Sequence, residues 1–453
     1  MAAPGRLDET YRSSQTKATN TGERIMATGR ITGGCLGLLA LIATPALAAA
    51  PVQQAVPAIP GWDRLVDGLR TMPDAVLAKL PPEMRADPQI RAEVGRLMIE
   101  ALASSSLEAL GADVDHPVFL PLYNQVLNVG QVNSDTIYRI ARVAPDGVYR
   151  LRGRRGSARI AMIGQMGPFP YETGNKALIA GGAAGYQGIN ALPVDANGQF
   201  DVMLSAKRPG GYTGPWWPLL PTTNKLLMRM VGSDWAKERD PAVSIERVDR
   251  PVTRPRTSAA ELQARLERLP VQTGFIAMLL MNRGINLRNE GYINKLKVMD
   301  MAQNGGLVGQ FYYEGAYELT DNEALIVEAK VPAKCHYSSI LLTNAIYETT
   351  DWTNNHSSLN DSQARPDADG VLRVVISAKD PGVANWLDTA GYPQGVVQGR
   401  WMDCDSQPVP SVRKVALADV RKSLPPGTRL ATPAERDRII RDRRAAFQQR
   451  PLW

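Results

Sequence analysis

Nine residues able to do chemistry or recognition fall in one short interval of this chain: Tyr347, Asp351, Trp352, Asn354, Asn355, His356, Ser357, Ser358 and Asn360. A plain solvent loop favours Gly, Ser, Lys and Glu. This one mixes aromatic planes with amides, a carboxylate and an imidazole, the composition of a small-ligand pocket. Asp351 and His356 form the natural acid–base pair, because a carboxylate orients an imidazole and raises its basicity toward neutral pH. Asp388 is the candidate second acid; alternatively it caps the backbone amides of its own turn. The candidate catalytic set is therefore Asp351, His356 and Asp388. Tyr347, Trp352, Asn355, Asn360 and Trp386 are the candidate ligand-binding set. The loop 350–360 is expected to line a concave site with the turn 385–391, leaving His356 partly open to solvent. The structural alternative is a polar corner that ties strands together, since buried polar networks also specify folds.

Other chemistries find little support. The chain has no G-x-S-x-G elbow, no H-E-x-x-H motif, no P-loop and no G-x-G-x-x-G after a strand. Ser338, His356 and Asp388 can be written as a triad, but any long chain offers such triples. His116, His336 and His356 are the only histidines, too few for a histidine metal cage, so neither metal nor cofactor is expected.

The elements that must hold these residues are strands. From 336 to 401, short β-branched runs alternate with polar turns, as in an antiparallel sandwich. Within it, DPGVANWLDTAG at 380–391 is long and compositionally odd. It joins NSDTIYRIARVAPDGVYRLRGRRG at 133–156 and the block 216–248, with its Asp234-Trp235 pair, in carrying a likeness. On these stretches the chain resembles the bacterial family known as domain of unknown function 1214, whose members often carry a partner N-terminal β domain. The resemblance covers most of the chain after about residue 115. It implies a β-sandwich, jelly-roll-like fold and no particular activity.

The expected fold class is mainly β with helical additions: two β-sandwich, jelly-roll-like units linked and covered by helices. Asp146-Gly147, Asn197-Gly198 and Asp369-Gly370 are turn signals between strand-like runs. Residues 49–115 read as a linker and helical cover, 116–250 as the first unit, and 251–305 as a helical connector. Residues 306–405 read as the second unit and 406–453 as a basic tail. Ser258 and Glu261 form a capping box for a connector helix that Pro270 should stop. The apolar run 275–281 is a buried segment, too short to span a membrane. Seven arginines between 139 and 159 offer forks for a carboxylate, sulfate or phosphate, although outward positions on alternating strands explain them more simply. Trp216 and Trp217 either stack on a flat ligand or plug the end of a sandwich.

Residues 1–48 read as an upstream extension followed by a signal peptide, with Arg30 before an apolar 36–43 core and Ala46-Leu47-Ala48 as cleavage site. The expected address is periplasmic or secreted, with no transmembrane span in the mature chain. Cys335 and Cys404 could pair in an oxidising compartment, but nothing in the sequence fixes their separation, and the reading favours two unpaired thiols. The net charge of +7 is uneven: eleven basic and four acidic residues between 413 and 450 account for all of it, and the body is slightly acidic. A nucleic-acid partner is therefore not expected. The tail should form a helix from the Thr432-Pro433-Ala434-Glu435 capping box and act as an accessory outside the core. Two functions remain: an enzyme on a small or glycan-like substrate, or a non-catalytic ligand-binding or envelope-assembly protein.

Overall fold

The computed structural model describes residues 58–174, 183–299, 306–307 and 309–451. The expected signal peptide and cleavage site lie outside the described residues. The fold is mainly β with helical additions, in two β units. In the first, a five-stranded sheet runs β1 (Leu120–Pro121), β2 (Thr136–Arg142), β8 (Lys225–Val231), β4 (Ile160–Met166), β5 (Ala183–Gly188). It packs on a four-stranded sheet, β7 (Trp216–Pro218), β6 (Gln199–Ser205), β3 (Tyr149–Arg154), β9 (Ala242–Arg247). Ile137, Leu151, Ile163, Val202, Met228 and Ile245 from both sheets form one buried cluster between them.

The second unit repeats this plan strand for strand. Its five-stranded sheet is β10 (Lys297–Met299), β11 (Gln310–Glu318), β17 (Gln394–Cys404), β13 (Cys335–Thr343), β14 (Ser358–Asn360). Its four-stranded sheet is β16 (Trp386–Asp388), β15 (Val371–Ser377), β12 (Glu323–Lys330), β18 (Ser411–Ala416). Adding nine to every strand number turns the first pair of sheets into the second. Because β10 and β18 belong to it, this unit reaches beyond the 306–405 span expected from sequence.

Matching details show that the repetition is chemical as well as topological. Gly198 at φ 74° and Gly370 at φ 75° close equivalent turns, in which their amides donate to Asp195 O at 3.0 Å and Asp367 O at 2.9 Å. Both positions are left-handed, where glycine carries no Cβ penalty. The strand that follows each turn ends in Ser-Ala-Lys. Ser205 Oγ donates to Lys207 O and Ser377 Oγ to Lys379 O, each at 2.8 Å. Each serine then accepts the indole N–H of a tryptophan on a short parallel strand, Trp216 and Trp386, both at 3.0 Å. Trp216 and Trp386 are thus one clamp used twice.

The helices cover one side. α1 (Trp62–Leu77), α2 (Pro82–Ala86), α3 (Pro88–Gly111) and α5 (Ala259–Met278) share a buried cluster of Val76, Met84, Leu97 and Ile276. α4 (Pro170–Thr173) and α6 (Arg283–Asn289) are short. None of the described helices is long and apolar enough to cross a membrane. Pro270 does not stop α5, which runs through it. The proline ring packs where Gly68 of α1 has no side chain, since a Cβ there would sit 2.4 Å from Pro270 Cβ. Packing against α1 outweighs the lost hydrogen bond.

Two further expectations need correcting. Cys335 and Cys404 face each other across β13 and β17 and form a disulfide, so they are not free thiols. The tail helix α7 (Pro433–Gln448) begins at the expected capping box, where Thr432 Oγ1 accepts from Glu435 N at 3.2 Å. It is not peripheral, however. Arg436, Arg443, Phe447 and, just beyond the helix, Arg450 are buried, and the seven-residue step from Arg436 to Arg443, two helical turns, puts those two on one face.

Candidate functional site

The expected corner exists, but it is closed. Asp351 caps its own turn, accepting from Thr353 N at 3.0 Å, Thr353 Oγ1 at 2.9 Å, Asn354 N at 3.1 Å and Asn354 Nδ2 at 2.6 Å. Asn355 Nδ2 donates to Asp351 O at 3.1 Å. Asp388 takes the capping alternative: its carboxylate accepts from Ala390 N at 2.7 Å, and burial raises its pKa. Its backbone amide donates to His356 O at 3.0 Å, so the loop and the turn do meet. His356 is 4% exposed, which overturns the expectation of solvent access. Its ring stacks on Trp386 with centroids 5.9 Å apart. Burial, helped by the Arg443 and Arg436 charges, pushes its pKa down to about 4. Both of its ring nitrogens, with Thr350 Oγ1, Trp352 Nε1 and Thr389 Oγ1, are buried without a hydrogen-bond partner.

The chain's own tail occupies the place foreseen for a ligand. Arg443 donates to Trp352 O, Ser358 O, Ser358 Oγ and Gln363 Oε1. Phe447 meets the Trp352 ring edge-on at 5.9 Å, leaving that indole 1% exposed. Asn360 bridges the two sandwiches, donating to Asp135 Oδ1 at 2.8 Å and Ser233 O at 2.9 Å. Asp135 also accepts from Tyr337 at 2.7 Å and Trp235 at 2.9 Å. Of the residues singled out from sequence, Tyr347 alone lines the cavity described next.

That cavity, of about 360 Å³, lies between the two five-stranded sheets. The sheets touch through Ile160, Val231, Tyr337 and Met402. Elsewhere along the seam they leave space, walled by Leu122, Val129, Ile140, Met166, Phe169, Leu227 and Leu280. Its polar groups come in matched pairs. Tyr138 on β2 is the cross-strand partner of Arg229 on β8, and Tyr312 on β11 is that of Arg400 on β17. The strands are equivalent in the repeat, and all four residues line the one cavity. Tyr123, Tyr347 and Gln131 complete its polar wall, and no described lining residue is a carboxylate, an imidazole or a thiol.

Arg400 is 3% exposed and makes no ion pair with any described carboxylate. Its guanidinium donates to Gln398 Oε1 at 2.5 Å, Gln131 Oε1 at 3.2 Å and Ser339 Oγ at 3.3 Å, and sits 5.3 Å from the Tyr312 ring centroid. All of these partners are neutral. Isolated buried charges are costly, so one that persists calls for compensation. Burial raises the pKa of Tyr123 to about 12 and that of Tyr312 as well, against the opposing pull of the arginines on Tyr312. It also raises that of Tyr347 well above the usual phenol value. The hydroxyls therefore remain donors at neutral pH. Gln398 Nε2 donates to Tyr347 Oη at 2.7 Å, and Tyr347 donates in turn to Glu314 at 3.4 Å. Gln131 and Tyr347 hold left-handed backbones at φ 60° and 69°. Such strain in non-glycine residues gathers at functional sites.

A larger groove of about 520 Å³ is a weaker candidate. Three of its five arginines are already paired, Arg254 with Asp113 at 3.0 Å, Arg265 with Glu261 at 2.5 Å and Arg142 with Glu108, and four carboxylates share its lining. Four of the seven arginines in the run from sequence are likewise paired with carboxylates, Arg142 among them. Arg150 pairs with Asp201, Arg152 with Glu246 at 2.9 Å, and Arg159 with Asp361 at 2.8 Å. Among the described residues, no group of His, Cys, Asp and Glu is placed to hold a metal ion.

No family model matches the chain, and no curated protein matches it. A solved structure of an uncharacterised protein from Burkholderia cenocepacia is similar, at 29% identity and TM-score 0.72, over 80% of this chain and 98% of that one. A protein from Vibrio parahaemolyticus is a distant likeness, at 11% identity and TM-score 0.40, over 71% of this chain and 99% of that one.

Proposed function

We propose that the chain is an exported ligand-binding protein, and that its cavity between the sandwiches takes a small anionic molecule with an apolar body. The observation that carries this is Arg400, a fully buried guanidinium facing neutral partners only. An anion in the cavity supplies the missing charge, and guanidinium forks favour carboxylates and related oxyanions. Aliphatic and aromatic walls suit an apolar body better than a glycan, and the cavity falls within the size range of small-molecule sites. The described polar wall is made of arginine, tyrosine and glutamine side chains, of which the guanidinium groups suit an anion. The Cys335–Cys404 disulfide supports an oxidising, extracytoplasmic address.

Octanoate, an anion with an apolar chain, tests the reading. Titration calorimetry should show saturable binding, and the melting temperature should rise with ligand concentration. Arg400→Met should weaken binding by roughly 10–100-fold, the loss of charge-assisted hydrogen bonds. Absence of saturable binding, or equal affinity in Arg400→Met, would refute the proposal.

A further inference from the structure

We infer that Gln131 is the second anchor in this cavity and that the anion is a carboxylate. The inference rests on the anion-binding reading of Arg400. Gly130 and Gln131 follow one another at φ 69° and φ 60°, a double left-handed turn that glycine permits and glutamine adopts only under constraint. The turn carries Gln131 into the cavity wall, against Leu280 on its Gly130 side. There Arg400 Nη2 donates to Gln131 Oε1 at 3.2 Å. A guanidinium only donates, so the amide must present its oxygen to Arg400 and turn its nitrogen away. That nitrogen, Nε2, is buried and has no hydrogen-bond partner.

The bond sets the unused amide N–H of Gln131 beside the guanidinium, whose Nε–H and second Nη1–H are left over by Ser339, Gln398 and Gln131 itself. A planar carboxylate offers one oxygen to each. The same contact explains why a strained backbone is kept here, since relaxing it would withdraw both the amide donor and an acceptor for Arg400. An alcohol of equal length would leave the buried charge unanswered. A phosphate brings a third oxygen and more charge than this donor pair matches.

The experiment uses the full chain with octanoate, octyl phosphate and octan-1-ol, read by titration calorimetry. Wild type should bind octanoate at least tenfold more tightly than either analogue. Gln131→Leu should weaken octanoate binding roughly tenfold, one hydrogen bond to a charged group, and leave octan-1-ol unchanged. Gln131→Glu is the fold-preserving control. It supplies Arg400 with the carboxylate it lacks, so the ligand-free protein should melt higher while octanoate binding is lost. If Gln131→Leu binds octanoate as wild type does while Arg400→Met does not, the Gln131 assignment falls and the anion reading survives. Equal affinity for octyl phosphate overturns the carboxylate assignment. If wild type binds none of the three, the underlying reading fails with it.

Discussion

Phe447→Ala tests whether the basic tail belongs to the core. Phe447 is 2% exposed, with its ring edge-on to Trp235 at 5.3 Å and to Trp352 at 5.9 Å, in a cluster that includes Val132. Truncating a buried phenylalanine to alanine costs about 3–5 kcal/mol, a large part of the 5–15 kcal/mol that typically holds a native protein together. The arginines on the same face should resist compensation. Burial pulls the Arg443 guanidinium down to about 10, so it remains charged at neutral pH, and five hydrogen bonds hold it in place. Removing the helix would strand those acceptors. Urea unfolding followed by tryptophan fluorescence suits the test, because two of the reporting indoles touch the ring. A loss below about 1 kcal/mol, or a soluble chain ending at Ala431 with an unchanged midpoint, would refute the docked-helix account and restore the accessory tail. Val132 also lines the cavity, where Tyr123 and Tyr138 pack against this cluster, so the variant should weaken octanoate binding as well.

His356 makes stability depend on acid. Its folded pKa of about 4 lies below the usual 6.5, so the unfolded chain takes up the proton first, and about 3 kcal/mol should be lost as pH falls from 6.5 to 4. His356→Leu should flatten that slope in urea midpoints measured across the range; an unaltered slope would remove His356 as its source. Replacing both Cys335 and Cys404 with serine should lower stability by about 2–4 kcal/mol, because the bond closes a loop with a sequence separation of 69. A thiol titration of oxidised protein produced without residues 1–48 should find no free sulfhydryl.

The strands, the sandwich class and the tail helix were legible because each is a local pattern: alternation, Asp-Gly and Asn-Gly turns, a capping box. The crowding of polar residues at 347–360 was legible too, as an excess of hydrogen-bonding capacity over what strand pairing uses. What satisfies much of that excess was not. The partners are Arg443 and Asp135, one about ninety residues downstream and the other more than two hundred upstream, and no spacing rule links them. The cavity was missed for a related reason. Arg229 and Arg400 are the lone arginines of their strands, β8 and β17, less conspicuous than the arginine run at 139–159, four of whose seven members are paired with carboxylates. One signal was available. Gln398 and Arg400 fall on the same face of β17, between apolar neighbours, and a strand with one polar face implies that this face meets something.

What that face meets is its own counterpart. In a lone sandwich, Tyr138 and Arg229 would sit on an outer sheet face beside water, with their charge and hydroxyl solvated. Setting the equivalent face of the second unit against it buries the Tyr312–Arg400 pair and leaves Tyr138 and Arg229 half-buried. Contact between β4 and β8 on one side and β13 and β17 on the other is apolar and tight, at Ile160, Val231, Tyr337 and Met402. Contact between β2 and β11 cannot be, because two tyrosines and two arginines must share the seam. The cavity is therefore where a repeated polar pair prevents the two sheets from closing. Its upkeep falls on groups that span the seam: Asn360 and Tyr337 on Asp135, and Arg450 of the tail on Asp135 O at 2.8 Å and Asp240 at 2.6 Å. Asn360, first taken for a ligand-binding residue, thus helps to fix the distance between the sheets that hold Arg400 and Arg229.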